Sequence, residues 1–243
     1  MAGWFALIGL SILFVYQHHV IDIWTGLVAG TICLYAFPDA PRHWQGFTLT
    51  VDPQRRRLGA YYFSTSALLM ALAVTLQSWA WMLLWPALSL LLVAIAYFLA
   101  GPAVFQKLSG RQSWPAAILL APYLFGAWIS YRCLTRTSPA MHRVTPNIYF
   151  GRFPRAGDLT PFAAMAVLDL TAEFSATRLI NQSRYRNIPI LDLTAPEPAA
   201  LRAAIEFIDH QIELGPVYVH CALGLSRSAA VVAAWLVRSR QMV

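Results

Sequence analysis

Between Arg57 and Lys107 the chain carries no Asp, Glu, Lys or Arg, and none occurs from Met1 to Ile21. A surface helix of a soluble domain keeps charged or polar residues on its outward face. A helix that crosses a bilayer instead needs roughly 20 mostly apolar residues. The 58–106 stretch is long enough for two such helices joined by a tight hairpin. Only 12% of the 243 residues are charged, against about a quarter in an average soluble domain, and the shortfall lies in the first half. From about residue 141 charges of both signs return at ordinary density. The pattern therefore predicts a multi-pass helical membrane part, about 1–135, followed by a water-exposed globular part, 141–243.

Helical spans are expected near 3–17, 20–36, 59–77 and 80–100. A fifth apolar segment, 115–133, is interrupted by Pro115, Pro122 and Gly126. The "QSWAW" run at 77–81 reads as the hairpin, with tryptophans at headgroup level. The "DPQRRRLG" run at 52–59 reads as a loop within a basic 37–58 connection, and its three arginines place that connection in the cytoplasm. If the fifth segment spans, the globular part lies on the opposite side; if it rests along the interface, the globular part stays in the cytoplasm. The net charge of +7 comes largely from residues beside apolar segments: Arg42, Arg55, Arg56, Arg57, Lys107, Arg111, Arg132 and Arg136. No basic stripe is interleaved with aromatics, so the expected partner is the bilayer and not nucleic acid. Cys33, Cys133 and Cys221 are scattered without CxxC or zinc-type spacing, which predicts neither a disulfide framework nor a metal site. The N-terminus lacks the basic start of a signal peptide.

One polar feature interrupts the apolar N-terminus. In "SILFVYQHHVIDIWTG" (11–26), His18 and Asp22 stand four apart on one helix face. A carboxylate against an imidazole fixes its tautomer and raises its basicity, which suits attack on phosphorus. Ser11, His18 and Asp22 resemble the third motif of the type-2 phosphatidic acid phosphatase superfamily, S-R-x5-H-x3-D. Ile12 replaces that motif's phosphate-binding arginine, and the two earlier motifs are absent. Over 1–36 the resemblance implies a partial lipid-phosphatase-like segment, with His18 and Asp22 as its remnant site. The plainer reading is a His–Asp pair that anchors a helix at the interface.

In the globular part, "NIYFGRFP" (147–154), "AVLDLTAEF" (166–174) and "NIPILDL" (187–193) read as short strands. The 194–215 segment reads as a helix, with Thr194 and Glu197 at capping-box spacing and Leu201, Ile205, Ile208 and Ile212 as its apolar stripe. "VYV" (217–219) reads as a buried strand and "SAAVVAAWLV" (228–237) as a helix. The alternation predicts an α/β domain with a mainly parallel sheet flanked by helices. Ligands of such sheets bind beyond the carboxyl ends of the strands, where Cys221 falls.

The loop "HCALGLSRS" (220–228) then carries chemistry. A strand–loop–helix passage of this length turns backbone N–H groups of Ala222, Leu223, Gly224, Leu225, Ser226 and Arg227 inward, and the following helix adds its positive end. A cysteine on the floor of that cradle is stabilised as thiolate. Arg227 supplies a planar fork for two phosphate oxygens, which lysine cannot. Gly224 allows close backbone approach, and Ser228 can hydrogen-bond the sulfur as it leaves. His220 is expected to orient the loop.

These residues form the H-C-x-x-G-x-x-R-S signature, and about 141–240 resembles the dual-specificity branch of the protein tyrosine phosphatase superfamily. The resemblance implies phosphomonoester hydrolysis through a cysteinyl-phosphate, without cofactor or metal. It places the general acid at Asp192, 29 residues before Cys221, with Glu197 as a substitute. The resemblance also implies a further helical stretch after Val243, hence a domain truncated at its C-terminus. A membrane-held enzyme of this kind has a phosphorylated lipid, or alternatively a phosphorylated protein, as its substrate. A phosphate-binding pseudophosphatase is the non-enzymatic alternative. A thiol enzyme favours a reducing compartment, so the catalytic part is expected in the cytoplasm.

Overall fold

The computed structural model describes residues 20–38, 48–155, 158, 165–176 and 184–241, with the side chains of 20–24 excepted. The chain divides into two units, Met1–Arg42 and His43–Val243. Among its described residues the first contains one helix, α1 (Val20–Ala36), whose Leu27, Val28 and Leu34 are exposed. The expected span at 3–17, Ser11 and His18 lie outside the described residues, and so does the side chain of Asp22.

The second unit opens with α2 (Pro53–Leu76). The Asp52 side chain accepts from the Gln54 N–H, and Pro53 supplies a preset φ in the first turn. Helix therefore begins inside the segment expected to be a loop, and Arg55, Arg56 and Arg57 occupy its first turns. Gln77 and Ser78 turn the chain through left-handed φ values. A short 3₁₀ stretch, Ser78–Leu83, leads into α3 (Leu84–Ile95), which widens into a π turn at Ala96–Ala100 and tightens again at Gly101–Phe105. The two arms are antiparallel and meet through small residues, which let their backbones approach closely. A Cβ on Gly59 would come within 3.0 Å of the Phe98 ring, and the buried Ser66 hydroxyl donates to the Ala87 carbonyl at 2.7 Å. Their outward faces are apolar: Leu68, Val74, Leu76, Trp79 and Met82 are all more than half exposed. Both arms are long and apolar enough to cross a membrane.

The fifth apolar segment folds differently from a span. After a hairpin of β1 (Lys107–Leu108) and β2 (Arg111–Gln112), helix α4 (Trp114–Leu119) runs out along the arms, and α5 (Ala121–Leu134) runs back. Trp85 Nε1 donates to the Ile118 carbonyl, and Tyr131 Oη donates to the Phe153 carbonyl. The segment thus leaves the globular part and returns to it. Fourteen residues of α5 reach only about 21 Å, short of the roughly 30 Å hydrocarbon core.

Five strands complete the globular part: β3 (Met141–Thr145), β4 (Ile148–Gly151), β5 (Ala166–Thr171), β6 (Tyr185–Ile190) and β7 (Val217–His220), in the order β3-β4-β7-β5-β6. β3 and β4 are antiparallel and the remaining pairs parallel. The sheet is thus mixed but mainly parallel, as expected, with β7 central. β3 has no counterpart in the sequence reading, because an exposed strand paired on one side carries no buried alternation. Strand period two sends Val217, Val219 and Cys221 to the face covered by α6 (Pro198–Ile212) and α7 (Arg227–Gln241). Tyr218 and His220 point to the other face. Ile205, Ile208, Val231 and Trp235 fill the core between helices and sheet, and Trp235 Nε1 donates to Asp209 at 2.8 Å.

The expected capping box at Thr194 and Glu197 is not formed. Glu197 takes the N-cap position in extended conformation with no side-chain cap, and Thr194 instead bonds the Leu191 carbonyl. Pro198 accounts for the shift: it restricts Glu197 to the extended region, so helix cannot begin earlier.

Candidate active site

β7 ends at His220, and the chain passes through 221–226 into α7, whose first residue is Arg227. Cys221 is 2% exposed. Its sulfur receives the Gly224 N–H at 3.2 Å and lies 3.4 Å from Ser228 Oγ. An inward-facing amide and a hydroxyl thus both lie against the sulfur. Ala230 N–H closes on the Ser226 carbonyl, so helix takes over directly behind the loop. Ala222 holds the loop to the neighbouring strand by accepting from the Phe153 N–H. Leu225 points outward, 77% exposed.

Gly224 is required twice over. Its φ is +80°, a region that L side chains rarely adopt. An added Cβ would also lie 2.5 Å from the Gly151 carbonyl carbon and 2.7 Å from the Arg152 nitrogen. The loop lies flat against the end of β4 because nothing projects there.

Arg227 is 1% exposed, and its fork is held from outside the loop. Nη2 donates to Glu173 Oε1 at 2.6 Å and Nη1 to Glu173 Oε2 at 3.1 Å; Nη1 also donates to the Ile190 carbonyl at 2.8 Å. Nη2 further donates to Asp192 Oδ1 at 2.9 Å. Glu173 therefore occupies the Nη1–Nη2 edge. The buried Nε has no hydrogen-bond partner among the described residues; the Nη2 hydrogen beside it is taken by Asp192, so an oxyanion that grips the Nε–Nη2 edge must displace Asp192 from Nη2. Burial disfavours the guanidinium's charge, but Glu173 outweighs it and holds Arg227 protonated above its ordinary range. Burial likewise raises the Glu173 carboxyl, and the Arg227 charge overcomes that and holds it below the usual range. Sequence reading did not single out Glu173. The available signal was a carboxylate just beyond the apolar strand "AVLDLT", where a buried charge demands a partner.

Asp192 ends up on the other side of Arg227. Burial raises its carboxyl; Arg227 opposes this, Glu173 adds to it, and the net direction is upward. Two carboxyls that share one guanidinium are thus pushed apart, Glu173 down and Asp192 up. Glu197, the other sequence candidate, is drawn away to pair with Arg55 at 2.9 Å.

His220 does not face the loop cavity. Its ring packs against Phe153 and Tyr218, with Nδ1 3.9 Å from Asp169 Oδ1. Burial lowers its basicity more than Asp169 restores it, so it is neutral near pH 7. Asp169 anchors a second buried network: Lys107 Nζ at 2.7 Å, Tyr185 Oη at 2.6 Å and Thr171 Oγ1 at 2.7 Å all reach its carboxylate. Lys107 follows directly on the second apolar arm, so this network ties that arm to the strand beside the catalytic loop. Among the described residues no group of three or more His, Cys, Asp or Glu could hold a metal ion.

Residues 148–243 match the family model described as "Dual specificity phosphatase, catalytic domain". Dual specificity protein phosphatase 2 of Homo sapiens is 34% identical over 104 residues, which cover 41% of this chain and 33% of that protein. The protein of the same name from Mus musculus is 33% identical over 104 residues, covering 41% and 32%. The chain thus spans about one third of the length of these curated relatives. Among solved structures the chain is similar to Tk-PTP in the active form, at 28% identity and a TM-score of 0.39, over 43% of this chain and 77% of that one.

Proposed function

From the premise that residues 148–243 form a cysteine-dependent phosphatase domain of the protein tyrosine phosphatase superfamily, we propose that the protein hydrolyses phosphomonoesters at a membrane surface. Our reading is that the substrate is a phospholipid bearing a terminal phosphate. The observation that carries the reaction is the meeting of Cys221, Arg227 and Asp192 around one loop, with Glu173 fixing the guanidinium.

In the first step the Cys221 sulfur attacks phosphorus, and the bond from phosphorus to the leaving oxygen breaks. Arg227 and the loop amides hold the non-bridging oxygens as charge builds on them. Asp192 delivers its proton to the leaving oxygen. In the second step the Asp192 carboxylate takes a proton from water as that water attacks phosphorus. The phosphorus–sulfur bond breaks, and Ser228 and the Gly224 N–H receive the returning thiolate.

The membrane reading rests on the two apolar arms and on the exposed leucines that border the site, Leu193 at 53% and Leu225 at 77%. The loop adds no lysine to Arg227, which suits a single phosphate better than a multiply phosphorylated inositol. Because the arms form a hairpin, the Arg55–Arg57 end and the catalytic domain share one side. Basic flanks of spans favour the cytoplasm, and we place the site there. A phosphorylated protein is the second reading, favoured by the matched relatives being protein phosphatases by name.

The test is phosphate release by the full chain from vesicles carrying a phosphomonoester lipid and from phosphotyrosyl and phosphothreonyl peptides. Preference for the lipid of at least about tenfold in kcat/KM, equivalent to roughly 1.4 kcal/mol, upholds the lipid reading. The reverse preference establishes the protein reading. A pH profile tests the acid. The raised Asp192 carboxyl stays protonated to higher pH than an ordinary one, so kcat/KM falls as pH rises through its folded value. Asp192→Asn should flatten that limb and lower the rate on alkyl phosphates by about 10²–10³.

A further inference from the structure

The geometry points to the membrane hairpin as the element that positions the general acid, with Tyr97 as its principal positioning residue. The inference rests on the reading of Asp192 as that acid.

The Asp192 loop is held by three contacts from the hairpin. Tyr97, 1% exposed, donates its hydroxyl to the Asp192 carbonyl at 2.8 Å. Gln54 Nε2 donates to the Leu193 carbonyl at 2.5 Å, and Arg55 pairs with Glu197 at 2.9 Å. The contacts come from both arms: Gln54 and Arg55 from the first turn of α2, Tyr97 from the end of the second arm. Arg55 also reaches the Ala96 carbonyl at 3.4 Å, and Tyr62 packs its ring against Tyr97.

The held backbone is strained, and within the loop the Thr194 hydroxyl closes on the Leu191 carbonyl at 2.8 Å. Leu193 has φ +55°, the left-handed region that costs a residue with a Cβ. It is also more than half exposed, so packing of its own side chain does not compensate. Such a conformation persists where its surroundings over-determine it. Here the surroundings are that internal bond and the two carbonyls on either side of the strained φ, each bonded to a hairpin donor. Relaxing Leu193 would swing the Asp192 carboxyl away from Arg227, and a displacement of about 1 Å at a reacting group can cost a hundredfold in rate. The exposed Arg55–Glu197 pair contributes less, because surface ion pairs are screened.

The test compares full-length wild type, Tyr97→Phe, Asp192→Asn and the double variant in detergent micelles. Substrates are phenyl phosphate, whose leaving group needs a proton, and 4-nitrophenyl phosphate, whose leaving group needs it far less. We expect Tyr97→Phe to lower kcat/KM on phenyl phosphate about tenfold, to change 4-nitrophenyl phosphate by less than about twofold, and to add nothing to Asp192→Asn. Gln54→Ala, at a helix end, should show the same selectivity to a smaller degree, which keeps the inference testable if Tyr97→Phe folds poorly. A loss equal on both substrates, or no loss, overturns the clamp while the acid assignment stands. If Asp192→Asn itself shows no leaving-group dependence, the acid assignment fails first and the clamp with it.

Discussion

Replacing Cys221 with serine should lower turnover by on the order of 10⁴-fold or more, the scale of losing an enzyme's nucleophile, while phosphorylated ligand still binds. The substitution keeps the shape of the site. Serine fills nearly the same space at 2% exposure, and the Gly224 N–H and Ser228 hydroxyl remain beside it. What it lacks is the sulfur nucleophile: a serine hydroxyl is a far weaker attacker of phosphorus at neutral pH. Equilibrium binding of a non-turned-over phosphopeptide or phospholipid vesicle, measured beside the rate, separates the two effects. Turnover within about a hundredfold of wild type would be too much for a lost nucleophile. It would redirect attention to His18 and Asp22.

Arg227→Lys should be nearly as severe, with kcat/KM reduced by about 10³ and the thermal midpoint lowered as well. A single ammonium cannot reproduce what the guanidinium does. Arg227 binds both oxygens of Glu173, the Ile190 carbonyl and Asp192, and only its Nε has no partner among the described residues. Lysine in that position meets part of Glu173 and leaves the rest of a buried carboxylate uncompensated, which is the costly half of breaking a buried pair. Steady-state kinetics with thermal unfolding in the same detergent checks both parts. Activity within about threefold of wild type would show that the fork does not matter.

The two effects have one origin, a site assembled from distant parts of the chain, and this explains what the sequence could show. The 220–228 loop was legible because its parts are local: a buried strand, a turn with one glycine, and a helix start within a few residues. The parallel sheet and the two long apolar arms were legible for the same reason, as periodicity and absence of charge. The partners were not. Glu173 reaches Arg227 across 54 positions, Lys107 reaches Asp169 across 62, and Tyr97 reaches Asp192 across 95. No spacing rule links such pairs. Local signals also competed: Thr194 and Glu197 have capping-box spacing, yet Pro198 delays the helix and frees Glu197 to meet Arg55. The Arg55–Arg57 run read as a loop because charge dominated the pattern, whereas Asp52 and Pro53 start a helix there. The 115–133 segment has the apolarity of a span, but Leu120 ends one short helix and Ala121 begins another that turns back.

Taken with the Asp192 loop contacts, the returning α4–α5 segment gives the hairpin an unusual place in the chemistry. It supplies donors to the loop that carries Asp192, and through Lys107, just beyond its second arm, it supports the strand beside the Cys221 loop. The apolar hairpin is therefore packed into the phosphatase-like domain and is not a detachable tether.

The measurement that bears most directly on the account is rapid quench of the full chain with a labelled phosphomonoester, followed by mapping of the covalently bound phosphate. The account predicts an acid-stable, near-stoichiometric phosphoryl group on Cys221 that is absent in Cys221→Ser. A phosphoryl group on any other residue, or turnover with no covalent intermediate, would contradict it.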